Sequence, residues 1–275
     1  MKLGFLTGYS RERIEFARRE GFDCVSLVDG GPGAEFDVVS ITEDKIKEIR
    51  EIADRNHIAI TAVAYYTHHI DEAQIQRFRS TIQVAAKLGA KVAATFAGGA
   101  PNLKPEENFP RFKEVFSEYT RLAEDVGVKI ALENCPCMAR YPENIAFNPV
   151  WWERIFDAIP SEALGLEFDP SHLVVTGIDY LKALKDFGSK IFHFHAKDAE
   201  IDREALRNCG IYGEGWWRFR IPGLGDINWR KIFSVLLDVG YDYAMVIEHE
   251  DPVFRGERYD EGLRRGLRYL RQLVR

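Results

Sequence analysis

LGLEFDPSHLVVTGIDYLKALKDFGSKIFHFHAKD, residues Leu164–Asp198, holds one complete unit of this chain's architecture. Leu164–Asp169 is a short apolar run, Ile178–Phe187 has the length of an amphipathic helix, and Ile191–His195 is a second apolar run. A strand, a helix and a strand within so few residues form the unit that makes its two strands parallel neighbours. Both strands also finish on a polar side chain, Asp169 and His195. A polar group at the end of an apolar strand is costly in a dry core, so the two residues point to one wet end of the sheet.

The same unit repeats in both directions. Strands are expected at Leu3–Thr7, Cys24–Val28, Ile58–Ala64, Val92–Phe96 and Lys129–Glu133 before it, and at Ala244–Glu248 after it, which makes eight. Helices are expected at Arg11–Glu20, Thr42–Asn56, Asp71–Leu88, Pro105–Val126, Pro149–Ala158, Asn228–Val239 and Asp260–Val274. Gly21, Gly89 and Gly127 follow three of them, where a left-handed residue closes a helix without a Cβ clash. Strands that are apolar almost throughout and separated by helices are parallel and covered on their outer faces. The expected fold is therefore an α/β (β/α)8 barrel, a TIM barrel, formed as one domain over residues 1–275. A doubly wound open sheet is the alternative, but no G-x-G-x-x-G follows the first strand.

Composition narrows the partners. With 275 residues, 46% hydrophobic and 29% charged, the chain can bury a large core without staples. Its net charge of −6 argues against a nucleic-acid partner, which demands clustered positive charge. Four cysteines, Cys24, Cys135, Cys137 and Cys209, offer only one C-x-C pair and no zinc-ribbon spacing. MKLGFLTGYSRER, at residues 1–13, lacks the apolar core of a signal peptide, and no run reaches the ~18 apolar residues of a membrane span. A reduced, cytoplasmic protein with no membrane contact is the expectation.

In such a barrel, chemistry gathers at the C-terminal ends of the strands. Glu133, Asp169, His195 and Glu248 end four of the last strands and would converge near the barrel axis. Each alone could cap a turn or pair with a lysine; together they make an O₃N set suited to one divalent ion. Manganese is the first candidate, with magnesium, cobalt or zinc as alternatives. His172, in D-P-S-H, could swing back as a further ligand, bind substrate or cap the next helix. His193 lies on the same side of its strand as His195 but one layer deeper, as a buried structural histidine. Lys197 could hold a substrate oxygen or phosphate. His68 and His69 follow the third strand and could reach the mouth, while Glu250 lies just past the strand carrying Glu248. Gly213–Gly225 reads as a long loop whose Trp216, Trp217, Arg218 and Arg220 suit a sugar ring and an anionic group. Tyr141–Pro149, with Trp151 and Trp152, reads as a lid or an interface, and the tryptophans make a homo-oligomer plausible.

The motifs ENCP at Glu133, DPSHL at Asp169, HFHAKD at His193–Asp198, PGLGDINW at Pro222–Trp229 and IEHEDP at Ile247–Pro252 resemble the sugar phosphate isomerase/epimerase superfamily. These are xylose-isomerase-like TIM barrels, a group that includes ketose 3-epimerases, inosose dehydratase and the endonuclease IV group. The resemblance runs from about the fourth strand to the end. It implies that Glu133, Asp169, His195 and Glu248 are metal ligands, that the two glutamates are also the acid–base pair, and that His172 faces the substrate. The strand-four end, TFAGG, has no histidine, and the loop after His195 offers Asp202 without a D-x-H. Those departures speak against nuclease chemistry.

The reaction expected from these residues is proton abstraction next to a carbonyl of a small sugar or sugar phosphate, through a metal-stabilised enediolate, with Glu133 and Glu248 as base and acid. His172, Lys197, His69, Arg218 and Trp216 are the expected substrate contacts. Elimination from a keto-sugar or 3-keto-glycoside is the alternative chemistry for the same site. A non-catalytic barrel subunit or a metal-assisted hydrolase is a more distant one.

Overall fold

The early helices start and stop at their capping residues in the computed structural model, which describes residues 1–137 and 142–274. Helix α1 (Arg11–Glu20) opens on Ser10 and closes on Gly21, α2 (Glu43–Asn56) opens on Thr42, and α3 (Glu72–Leu88) runs from Asp71 to Gly89. In each the capping side chain accepts a backbone N–H of the first turn, a donor that would otherwise be orphaned. Helix α4 (Pro105–Val126) begins with proline, whose missing N–H costs nothing there, and ends at Gly127.

Between these helices run β1 (Lys2–Gly8), β2 (Cys24–Val28), β3 (Ala59–Ala64), β4 (Val92–Thr95) and β5 (Lys129–Glu133). The second half supplies β6 (Leu164–Phe168), β7 (Ile191–His195) and, after an excursion, β10 (Ala244–Ile247). All eight pair in parallel, and β1 bonds to both β2 and β10, so the sheet closes into a (β/α)8 barrel. The outer helices include α5 (Pro149–Ala158), α6 (Pro170–Val175) and α7 (Tyr180–Asp186). Helix-facing residues such as Val63, Ala93, Ile130 and Leu166 join the main core, while Ala62, Ala64, Val92, Ala94 and Ala131 pack as a smaller separate cluster. A register shift between Leu166 and Glu167 accompanies Gly165, where a Cβ would meet Lys190 O at 2.3 Å.

Three expectations need correction. Strand β6 stops at Phe168 because Asp169 leaves the ladder to cap α6, its Oδ1 accepting from the Ser171 N–H at 2.8 Å. The stretch Gly213–Gly225 is not one loop: β8 (Asp198–Ile201) and β9 (Trp217–Arg220) pair antiparallel, with α8 (Arg203–Cys209) between them. Trp151 and Trp152 are packing residues rather than a lid. Both are buried; Trp152 donates its indole N–H to Ala146 O at 2.6 Å and packs on Phe168 and Phe187. Tyr141 lies outside the described residues. The last two helices, α9 (Trp229–Asp238) and α10 (Tyr259–Arg271), close the chain against the barrel. Among the described residues no helix is long and apolar enough to cross a membrane.

Candidate metal centre

Pairing between β5, β6 and β7 sets Glu133 beside Glu167 and Glu167 beside His193. One residue pair further up, the strand ends carry Asp169 and His195, and Glu248 follows the last residue of β10. The outcome is a buried polar cluster at the C-terminal mouth. One ligand atom from each of Glu133, Asp169, His172 and Glu248 lies within 4.8 Å of the others. His195 adjoins them through Nδ1, which is 3.0 Å from Glu133 Oε1 and 3.1 Å from Glu248 Oε2. Its other nitrogen, Nε2, is 3.1 Å from Glu167 Oε1.

These residues fit a divalent cation. Asp169 Oδ2 is buried and has no well-aligned hydrogen-bond donor, only the Lys197 ammonium at 3.2 Å and His172 Nε2 at 3.5 Å, in a site that also holds two further carboxylates. Oxygen and imidazole donors of this kind suit hard-to-borderline ions. The balancing charge in the protein is Lys197, 1% exposed, whose Nζ lies 3.2 Å from Asp169 Oδ2, 2.6 Å from Glu248 Oε2 and 2.9 Å from Glu250 Oε2. The same ammonium sits 3.2 Å from His172 Nε2 and over the Phe219 ring, which also meets His172 edge-on at 5.3 Å.

Electrostatics follow the geometry. Burial would push Glu133 up, but hydrogen bonds from His172 and His195 and the charge of Lys197 hold its carboxyl far below the usual range. For Glu248, burial is again outweighed, here mainly by Lys197. Burial and Lys197 disfavour protonated His172, yet Asp169, Cys135 and Glu133 raise it to about 10. His195 is desolvated too, and the carboxylates of Glu167 and Glu248 raise it well above an ordinary histidine. A cation entering here would meet protonated histidines and a resident ammonium, so its binding would release protons or move Lys197.

Some expected contacts stand elsewhere. His69 is turned away from the mouth: it is buried against Phe78, Phe116 and Tyr119, with Nε2 donating to Phe96 O at 3.0 Å and Nδ1 3.1 Å from Tyr119 Oη. Burial drops its pKa to about 3. Arg218 is exposed and spends its guanidinium on Glu200 within the hairpin. Trp216 is buried against Val175 and Ala199. Phe219, rather than Trp216 or Arg218, takes the position beside His172. Tyr66 and Glu167 join the site without having been expected there; a glutamate inside an apolar strand signals a buried polar role but not the partner it meets. Asp198 is structural. It accepts from the N–H groups of Ala199, Gly223 and Ile227 and from Trp229 Nε1, tying the PGLGDINW segment down.

Residues 14–273 match the family described as xylose isomerase-like TIM barrel, and the chain belongs to that family. It is similar to the uncharacterized protein YfiH of Bacillus subtilis (strain 168), with 25% identity over 322 residues, covering 100% of this chain and 99% of that protein. A crystal structure of the IOLI protein with a bound zinc atom superposes with TM-score 0.79 at 22% identity, over 100% of this chain and 98% of that one. A crystal structure of D-psicose 3-epimerase in the presence of D-fructose gives TM-score 0.77 at 16% identity, over 100% and 99%. At these identities the two structural likenesses speak for the fold.

Proposed function

We propose that this member of the xylose isomerase-like family is a metal-dependent isomerase or epimerase of a small sugar or sugar phosphate, formed as one barrel domain. The observation that carries the reading is the placement of Glu133 and Glu248. They come from strands three places apart around the barrel, and both reach within 3.1 Å of His195 Nδ1, beside the buried Asp169 carboxylate. The zinc bound to the IOLI protein and the ketose-epimerase likeness support it.

Glu133, Asp169, His195 and Glu248 would hold one divalent ion, with manganese the first candidate. When bound, that ion supplies Lewis-acid stabilisation of the negative charge that develops on the substrate oxygens. Glu133 then takes the proton from the carbon next to the carbonyl, and Glu248 delivers to the opposite face a proton drawn from the Lys197 ammonium 2.6 Å away. The proton left on Glu133 passes through solvent to reprotonate Lys197 before the next turnover; a positioned base of this kind contributes roughly 10²–10⁴-fold. Lys197 and His172 are donors for a substrate hydroxyl or oxyanion. Phe219 and the hairpin that carries it screen the pair from water.

A second reading, elimination from a keto-sugar or 3-keto-glycoside, is favoured by the aromatic edge of the hairpin. Phe219 packs on His172 and Trp217 packs on Phe219 at 4.9 Å, a surface that suits an aglycone. The test is to titrate the protein with Mn²⁺ and then assay ketoses, ketose phosphates and 3-keto-glycosides by mass spectrometry. An epimer supports the first reading and a lost aglycone or water the second. Stoichiometric metal without any product from the panel contradicts both.

A further inference from the structure

A carboxylate deep in a barrel is expensive unless its charge has work to do. Glu167 is fully buried in β6, and both of its oxygens are occupied. Oε1 accepts from His193 Nδ1 at 2.7 Å and lies 3.1 Å from His195 Nε2. Oε2 accepts from the Tyr66 hydroxyl at 2.8 Å, and that hydroxyl is itself 3.3 Å from His195 Nε2. His193 is fixed in turn by Thr61, whose Oγ1 lies 3.2 Å from its Nε2 and donates to Val25 O at 3.2 Å. The network therefore reaches from β6 and β7 across to β2 and β3, and all of it points at one nitrogen of His195.

The two nitrogens of His195 face different neighbours. Nδ1 looks at Glu133 and Glu248, which stand at the mouth. Nε2 looks at Glu167 and Tyr66, beneath it. We propose that Glu167 is the positioning residue of the metal centre: its carboxylate, 3.1 Å from His195 Nε2, together with the Tyr66 hydroxyl that it orients to accept from that nitrogen, keeps the ring proton on Nε2 and thereby presents the Nδ1 lone pair to the divalent ion. The inference rests on the metal reading given above. Its physical basis is general, since an imidazole ligand has one nitrogen on the metal and the other must be a donor, and an anionic acceptor fixes both the tautomer and the ring plane. A pairing of Glu167 with His193 alone would engage one oxygen and leave His195 free to turn. Here Tyr66 holds the second oxygen, so the carboxylate cannot rotate away from His195.

The experiment uses the full chain and Zn²⁺ as the probe. In zinc-loaded protein labelled with ¹⁵N-histidine, long-range proton–nitrogen spectra should show His195 as a neutral ring with its proton on Nε2. A proton on Nδ1 would overturn the proposal, and that result needs no variant. Glu167→Gln should weaken zinc binding about 10–100-fold in a chelator competition, and its His195 signals should show a mixed tautomer. Zinc affinity within twofold of the native chain, with an unmoved tautomer, also overturns it. A native chain that takes up no zinc refutes the metal reading itself, whereas tight zinc binding that ignores Glu167 refutes only the positioning role.

Discussion

Replacing Lys197 by methionine should make the protein less stable without metal and a better binder of metal. The ammonium is within 3.2 Å of three carboxylates, and two of them, Asp169 and Glu248, have side chains only 0% and 17% exposed. Glu250, at 46%, can return to water and contributes little. Removing one partner of a buried pair costs about 3–5 kcal/mol, because the other charge is left uncompensated. Taking the lower figure for this partly wetted mouth, Lys197→Met should lose about 3 kcal/mol, or a fall of about 6–12 °C in Tm for a chain of this size. A divalent ion supplies the missing positive charge, and in the variant it need not displace an ammonium. The same ~3 kcal/mol should then return as roughly hundredfold tighter binding. Thermal unfolding with and without saturating Mn²⁺, combined with calorimetric titration, measures both quantities. If the metal-free variant is as stable as the native chain, or if metal stabilises the two equally, Lys197 is not the counter-ion of the metal site.

Asp169→Asn should abolish stoichiometric metal uptake, while Glu133→Gln should lower turnover by about 10²–10⁴ and affect metal affinity much less; equal losses of both in the Glu133 variant would contradict its role as base. Gly225→Ala places a Cβ 2.3 Å from Asp198 Oδ1 and should cost about 1–3 kcal/mol in denaturant unfolding by loosening the segment that Asp198 ties down; a shift within error would show that the loop yields freely. His69 is held neutral in the fold, so the unfolded chain binds the extra proton. Stability should therefore fall as pH drops below about 6.5, by up to ~1.4 kcal/mol per unit from this group, until its folded pKa of about 3. His69→Leu should flatten that slope by one proton, and an unchanged slope would exclude His69 as its source.

The barrel is legible in the sequence because its signals are local. Capping residues such as Ser10, Thr42 and Asp71 and closing glycines such as Gly21 act within a turn of the residues they mark, and the apolar runs between them have strand length. The hairpin is not legible, because β8 follows β7 after only two residues and β9 begins among glycines and tryptophans. What makes them strands is their pairing across α8. Apolar periodicity extends the strands carrying Asp169 and Glu248 one residue too far. In β6 the reason is that a side chain that caps a turn ends the ladder, and capping is invisible to apolar periodicity. The four polar strand ends can be found because an apolar strand that finishes on a charge is conspicuous. Tyr66, Phe219 and Glu167 cannot be assigned in the same way. Aromatic residues next to a strand fit a core, a lid and a site equally well, and Glu167 gains its meaning only from facing His195 on the neighbouring strand. His69 departs from its expected place at the mouth because it carries a positive φ of 55°, and its ring enters the wall of the barrel instead.

The central claim is proton abstraction at a carbon beside a carbonyl, and solvent exchange tests it most directly. Metal-loaded protein would be incubated in D₂O with whichever sugar of the panel it turns over, and the recovered substrate and product analysed by mass spectrometry and NMR. The mechanism predicts one deuterium at the carbon next to the carbonyl, with the exchange lost in Glu133→Gln. Turnover that leaves every carbon-bound hydrogen in place would contradict it.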